Sequence, residues 1–184
     1  IVHSIAYAKA CPLISRVVVS TDSEDIADIA RKNGAEVIMR PAELATDLSK
    51  TGTAIRHVLQ TLAQEGYQPD GVVTLQPTNP LRPANLLMDT LAIYENESPD
   101  SVISVSRSTH KIGTVIDGFF TPTSYRVEQR SQDLAPKYFE NGLLYITKPE
   151  VVLDHENVFG ETIRAFEVDS PYATVDIDEE VHFI

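Results

Sequence analysis

Three groups of residues in this chain have the types and spacing to act on a charged small molecule. The first is the turn Leu75–Arg82 (LQPTNPLR), which directly follows an apolar β-branched run. Ligands of open α/β sheets sit beyond the carboxyl ends of the strands, so such a turn stands where a site would be built. Pro77 and Pro80 restrict its backbone, and Gln76 offers an amide donor and a carbonyl acceptor at the rim. The competing reading is a rigid turn without a ligand, leading into a helix whose first turn holds Pro83. The second group is Val175-Asp176-Ile177-Asp178. Residues two apart in a strand share a face, so both carboxylates converge while Ile177 turns inward. Paired carboxylates repel unless a cation lies between them, and Mg²⁺ favours one or two carboxylates together with phosphate oxygens. Two solvated acids near a strand end are the alternative. The third group is a set of cations at strand ends and in one irregular stretch: Arg40, Arg82, Lys111, Arg126 and Arg130. Singly each is an ordinary surface residue. Together they are what a triphosphate and a sugar carboxylate would need in an acidic protein.

The elements that must position these residues follow an alternating pattern. Strand-like runs at 16–20, 35–40, 71–76, 101–106, 143–147 and 163–168 alternate with helix-period segments. This predicts an α/β fold with a largely parallel sheet and helices on both faces, formed as one domain over 1–184. Asp22 is expected to cap a helix that buries Ile26, Ile29 and Ala30 and stops at Gly34. A second helix places Ala54, Ile55, Val58, Leu59 and Leu62 on one face, and a third carries Leu86, Leu87, Leu91 and Tyr94. Residues from about 107 to 138 are polar, punctuated by Gly and Pro, and poorly periodic. So long an irregular stretch suggests a lid or an arm.

The 184 residues are 42% apolar and 23% charged, an ordinary soluble balance with enough core to need no staple. The net charge of −12 argues against nucleic acid or an anionic membrane as partner, but leaves room for an anionic substrate in a locally basic cleft. One cysteine, Cys11, cannot form an internal disulfide and is expected to be a small buried residue. No signal peptide and no apolar run of membrane-spanning length is visible, so a cytoplasmic location is expected. The chain opens at Ile1 in a helix-like pattern, which reads as a chain whose beginning is absent.

Several segments together resemble the acylneuraminate cytidylyltransferases, or CMP-sialic acid synthetases, whose relatives activate legionaminic and pseudaminic acids. They are VVVSTDSEDIADIARKNGAEVIMRPAELATD (17–47), LQPTNPLR (75–82), ENGLLYI (140–146), VFG (158–160) and TVDIDEEVHF (174–183). They occur in the family's order and span essentially the whole chain. The resemblance implies a Rossmann-like nucleotidyltransferase sheet with a dimerisation arm at about 107–138. It also implies CTP and a nonulosonic acid as substrates, Mg²⁺ as cofactor and a homodimer. By position, Arg40 and Thr51 would lie at the cytosine nucleotide, with Gln76 between nucleotide and sugar. Asn141, Tyr145 and Phe159 would line the sugar site, Phe159 against the N-acyl group. Asp176 and Asp178 would hold the metal. Lys111 and Arg130 would bind the sugar carboxylate across the dimer.

The chain departs from the family in three places. The N-terminal strand and its basic, Gly/Ser-rich phosphate loop are not in it. Ser-Thr-His-Lys-Ile-Gly replaces the usual His-His-Pro run around Lys111, and Arg130 is followed by the longer Ser-Gln-Asp-Leu-Ala-Pro. The expected reaction is attack of the sugar's anomeric hydroxyl on the α-phosphate of CTP with loss of pyrophosphate. Competing readings are a cytidylyltransferase for the eight-carbon 3-deoxy-manno-octulosonate, or a non-catalytic nucleotide-binding homologue.

Overall fold

A computed structural model describes residues 1–46 and 48–183; Asp47, the last residue of the quoted 17–47 segment, and Ile184 lie outside the described residues. The elements follow in the order α1 (Val2–Lys9), β1 (Val18–Thr21), α2 (Glu24–Lys32), β2 (Glu36–Met39), α3 (Thr51–Gln64), β3 (Val72–Thr74) and α4 (Leu86–Glu97). Then come β4 (Ser101–Ser108), β5 (Gly113–Ile116), β6 (Phe119–Pro122), β7 (Lys137–Thr147), α5 (Pro149–His155) and β8 (Ile163–Glu167). The α/β alternation is as expected. The sheet, however, is mixed rather than largely parallel. β1 and β2 form a parallel pair, and a separate four-stranded sheet has the order β3-β7-β4-β8. β7 runs antiparallel to both β3 and β4, and only β8 lies parallel to β4. The apolar run of β7 says that it is buried, and says nothing of its direction.

β4 and β7 are central, and β4 over Ser101–Ser106 and β7 beyond Glu140 are buried almost throughout, with both faces covered. Val102, Leu144 and Ile146 pack with Leu86 and Leu87 of α4, along with Cys11, which is buried as expected. Ile103, Val105 and Tyr145 point the other way and meet Val158 and Phe159. The odd–even division is the pleat at work. Near one end the ladder breaks: Ile103 faces Tyr145, but Val105 faces Glu140. The intervening residues of β7 bulge out, and the site is built on that bulge.

Several local expectations are corrected. Ser23, not Asp22, caps α2, its hydroxyl accepting from the Ile26 N–H at 3.4 Å. α2 buries Ala27 and Ala30, leaving Ile26 and Ile29 exposed, because the small residues allow the helix to lie close to its neighbours. Gly34 ends it at φ 74°, as predicted. Pro83 precedes α4 rather than lying in its first turn, its carbonyl accepting from the Leu86 N–H. The 107–138 segment is more regular than its composition suggests, since β5 and β6 form an antiparallel hairpin. Its turn is Asp117-Gly118 at φ 51° and 82°, a left-handed pair of the kind that joins tight hairpins. Asp-Gly between Val115-Ile116 and Phe119-Phe120 was the available signal.

The far end of the sheet is held by Asp100. Its carboxylate accepts from the Thr162 N–H at 3.0 Å and from Lys148 Nζ at 3.1 Å, tying β4 to the start of β8 and the end of β7. The Thr162 N–H, the Lys148 ammonium and the Thr162 hydroxyl hold its pKa down at about 2. A depressed carboxyl contributes stability above its unfolded value, near 3.9, that is lost as pH falls through the folded value. Asp100→Asn should therefore flatten the acid limb of the stability curve between about pH 4 and 2. Urea midpoints measured across that range check this; parallel wild-type and variant curves would refute it.

Candidate active site

The Leu75–Arg82 turn leaves β3 and is fixed by its own side chains. Arg82 Nε donates to Leu143 O at 2.7 Å, its terminal nitrogens donate to Gln76 O at 2.6 Å and Ser4 Oγ at 3.0 Å, and it lies over the Tyr7 ring. Burial pushes the Arg82 pKa down to about 10, so it remains charged at neutral pH. Its donors are turned into the protein. This corrects its placement among phosphate-facing cations: Arg82 staples the turn to β7 and α1.

Asn79, in the same turn, is 1% exposed. Its amide nitrogen donates to Asn141 O at 3.3 Å and to Val175 O at 3.2 Å. A backbone bond from the Ile177 N–H to Thr78 O, 2.8 Å, runs alongside. The turn thus binds both the bulge of β7 and the acidic C-terminal segment. Residues 175–178 form no strand ladder. The expected alternation nevertheless holds: Val175 and Ile177 are partly buried, while Asp176 and Asp178 are exposed.

On the bulge, the Ser104 hydroxyl lies 2.6 Å from Asn141 Oδ1, which also accepts from the Leu143 N–H. Asn141 Nδ2 donates to Ser106 Oγ at 3.0 Å. The Asn141 side chain is therefore largely committed to holding the bulge. Gly142 has φ 71°, and a Cβ there would stand 2.7 Å from Asn79 Oδ1 and 2.9 Å from Gln76 Oε1. Only glycine fits, and its absent side chain is what lets Gln76 lie against the strand.

These contacts bring Gln76, Asn141, Tyr145 and Asp176 together around a cleft of about 260 Å³, with Phe139, Glu140, Gly142 and Thr174 completing the lining. Burial, Glu140 and Asp176 all raise the Tyr145 pKa, so the phenol stays neutral at physiological pH. The Phe159 ring meets Tyr145 edge-on, 5.8 Å between centroids, and so backs the cleft from the second face of β7. Asp178 lies two residues beyond Asp176, and its N–H donates to His182 Nδ1 at 3.0 Å.

Six expected site residues do not line this cleft: Asp178 and Phe159, just described, and Arg40, Thr51, Lys111 and Arg130. Arg40 follows β2, its guanidinium 3.7 Å from Asp22. Arg40 Nε and Ser20 Oγ, at the carboxyl ends of β2 and β1, are buried without a hydrogen-bond partner among the described residues. Thr51 opens α3 and is exposed. Lys111 donates to Gln129 O and lies over Tyr125, while Arg130 makes a two-point ion pair with Asp133. Both stay within the hairpin segment, because their nearest acceptors are there. Sequence reasoning missed Glu140, Thr174 and Asn79. The first two lie inside the quoted ENGLLYI and TVDIDEEVHF segments; Asn79 carried no signal beyond its place in the turn.

With this geometry in view, the chain matches the cytidylyltransferase family over residues 1–174. The chain belongs to that family. It is 27% identical over 186 residues to an N-acylneuraminate cytidylyltransferase of Escherichia coli O18:K1:H7, covering 98% of this chain and 43% of that protein. A CMP-N,N'-diacetyllegionaminic acid synthase of Legionella pneumophila is 28% identical, with 98% of this chain and 80% of that protein covered. The chain thus spans less than half the length of the first relative and most of the second. Among solved structures, a CMP:2-keto-3-deoxy-manno-octonic acid synthetase complexed with CTP superposes with a TM-score of 0.65 at 14% identity, over 90% of this chain and 77% of that one. At that identity the likeness carries the fold alone. The acidic segment of the chain offers hard carboxylate oxygens, and neither Asp176 nor Asp178 is engaged in an ion pair among the described residues. Carboxylate oxygens are donors that Mg²⁺ takes together with phosphate oxygens; no group of three or more His, Cys, Asp or Glu side chains placed to hold a metal ion occurs among the described residues. No helix is long and apolar enough to cross a membrane among the described residues.

Proposed function

We propose that this chain forms the nucleotidyl-transfer domain of an enzyme that moves CMP from CTP to the anomeric hydroxyl of a nonulosonic, sialic-acid-type sugar, releasing pyrophosphate. The observation that carries this is the convergence of Gln76, Asn141, Tyr145 and Asp176 on one cleft, in a chain of the cytidylyltransferase family. The names of the E. coli and Legionella relatives support the nine-carbon sugar class.

The sugar hydroxyl attacks the α-phosphorus, the new P–O bond forms as the bond to the β-phosphate oxygen breaks, and the hydroxyl proton leaves to solvent. The protein's task is alignment and charge neutralisation. Gln76 orients the two substrates, Tyr145 and Phe159 shape the sugar side, and Asn141 holds the bulge that carries them. Arg40, with its unpartnered buried Nε, and Thr51 serve the nucleotide. Asp176 and Asp178 would hold Mg²⁺, which when bound neutralises charge on the phosphate oxygens. Pyrophosphate release by the complete protein, with CTP and N-acetylneuraminic, legionaminic, pseudaminic or 3-deoxy-manno-octulosonic acid, tests the reading. Turnover with a nine-carbon acid is expected; turnover with the eight-carbon acid alone, or with none, would overturn it.

The reading includes a cytoplasmic homodimer joined through the hairpin segment. Supporting this, Val115, Ile116 and Phe120 are exposed there, Phe119 is 78% exposed and Val127 76% exposed, an apolar concentration unusual on a free surface. Lys111 and Arg130 would then face the sugar carboxylate in the other subunit's cleft. Phe119→Ser with Phe120→Ser should convert the dimer to monomer in sedimentation velocity at micromolar concentration. A wild-type protein that is monomeric and fully active refutes the arrangement.

A further inference from the structure

We infer that Asn79 is a positioning residue that sets Asp176 against Gln76 across the cleft. This rests on the metal role proposed for Asp176. Asn79 is the most deeply buried member of the Leu75–Arg82 turn, and nothing in the reaction requires it to touch a substrate. Its one amide group reaches two carbonyls that belong to different parts of the site. Asn141 O lies on the β7 bulge, and Val175 O immediately precedes Asp176. Its Oδ1 and Gln76 Oε1 both border the space that a Cβ at position 142 would fill, 2.7 and 2.9 Å from it. One carboxamide therefore holds three parts of the cleft: the turn with Gln76, the bulge beneath it and the acidic segment beside it.

The geometry explains why an amide is used. Each of the two carbonyls takes one N–H, so a single NH₂ serves both. A hydroxyl has one proton and a carboxylate has none. The backbone bond from Ile177 to Thr78 stays in place without Asn79, so the acidic segment would remain docked but could swing about that point. The expected defect is misplacement of Asp176, seen as weakened metal binding, rather than collapse of the fold.

The test uses the full chain as wild type, Asn79→Ala, Asn79→Asp and Asp176→Asn. Mn²⁺ binding is followed by electron paramagnetic resonance, and pyrophosphate release is titrated with Mg²⁺. Losing a hydrogen bond of this kind corresponds to roughly a tenfold change in an equilibrium. Asn79→Ala and Asn79→Asp should need roughly tenfold more Mg²⁺ for half-maximal rate and bind Mn²⁺ correspondingly more weakly. At saturating metal their KM for CTP should stay near wild type. Wild-type metal dependence in a folded variant overturns the inference while leaving the functional reading intact. If both variants fail to fold, Asn79 is a structural residue only, which also overturns it. A wild-type protein with no metal-dependent pyrophosphate release brings down the functional reading and this inference with it.

Discussion

Asp178→Asn should lower pyrophosphate release by roughly a hundredfold or more, with the fold unchanged. Charge stabilisation by a carboxylate-held metal ion contributes several kcal/mol to such transition states, and each 1.4 kcal/mol or so is tenfold in rate. The structure makes the pair available for this. In the 175–178 segment apolar Val175 and Ile177 are partly buried and both aspartates are exposed, Asp176 in the cleft with Gln76. Asparagine keeps the shape and removes the charge, so circular dichroism should be unaffected. Asp176→Asn should behave similarly, whereas Asp28→Asn on the outer face of α2 should not alter the rate. Near-normal turnover of Asp178→Asn at limiting Mg²⁺ would exclude this aspartate from the metal site.

The second large effect is on stability. Arg82→Ala removes donors to Leu143 O, Gln76 O and Ser4 Oγ together, leaving two carbonyls beneath the turn without their partner. Hydrogen bonds from a charged donor contribute about 1.5–3 kcal/mol each and do not add fully, so a loss of about 3 kcal/mol or more is expected. Arg82→Lys should recover little, because a single ammonium cannot reproduce a planar fork with separated donors. Urea midpoints measure the loss. An Arg82→Ala protein with wild-type stability and a raised KM for CTP would return Arg82 to the phosphate-facing role that its position in the sequence suggests.

Arg82 also illustrates what the sequence withholds. Its place at a strand end, among other cations, reads as a phosphate contact. Its actual acceptors are a carbonyl of its own turn, the Leu143 carbonyl 61 residues further on and the Ser4 hydroxyl of α1, and no local pattern announces the distant two. The same holds for β7. Its apolar residues mark it as buried, but its antiparallel direction comes from pairing with β3 and β4. Patterns that depend only on neighbouring residues were readable: β1, β2, β3 and β4 fall within a few residues of their apolar runs, and Gly34 stops α2. In the site, Gln76, Asn141, Tyr145 and Asp176 were legible through the quoted segments and do meet in one cleft. Asn79 was not, because its function is defined by two distant carbonyls rather than by spacing.

The cleft's wiring has a consequence for how the protein is made. Asn79 is bonded to partners 62 and 96 residues further along the chain, and β7 lies between β3 and β4, both of which precede it. Pairing across such separations must wait for the later segment and is slow relative to local structure. During synthesis α1 to β4 emerge before β7, with the edge of β4 that β7 will pair with still open. The cleft closes only when Asn141 and then Val175 have left the ribosome. Nascent chains stalled before that point should show helical protection without any CTP-dependent resistance to proteolysis, and should be the ones most dependent on chaperones.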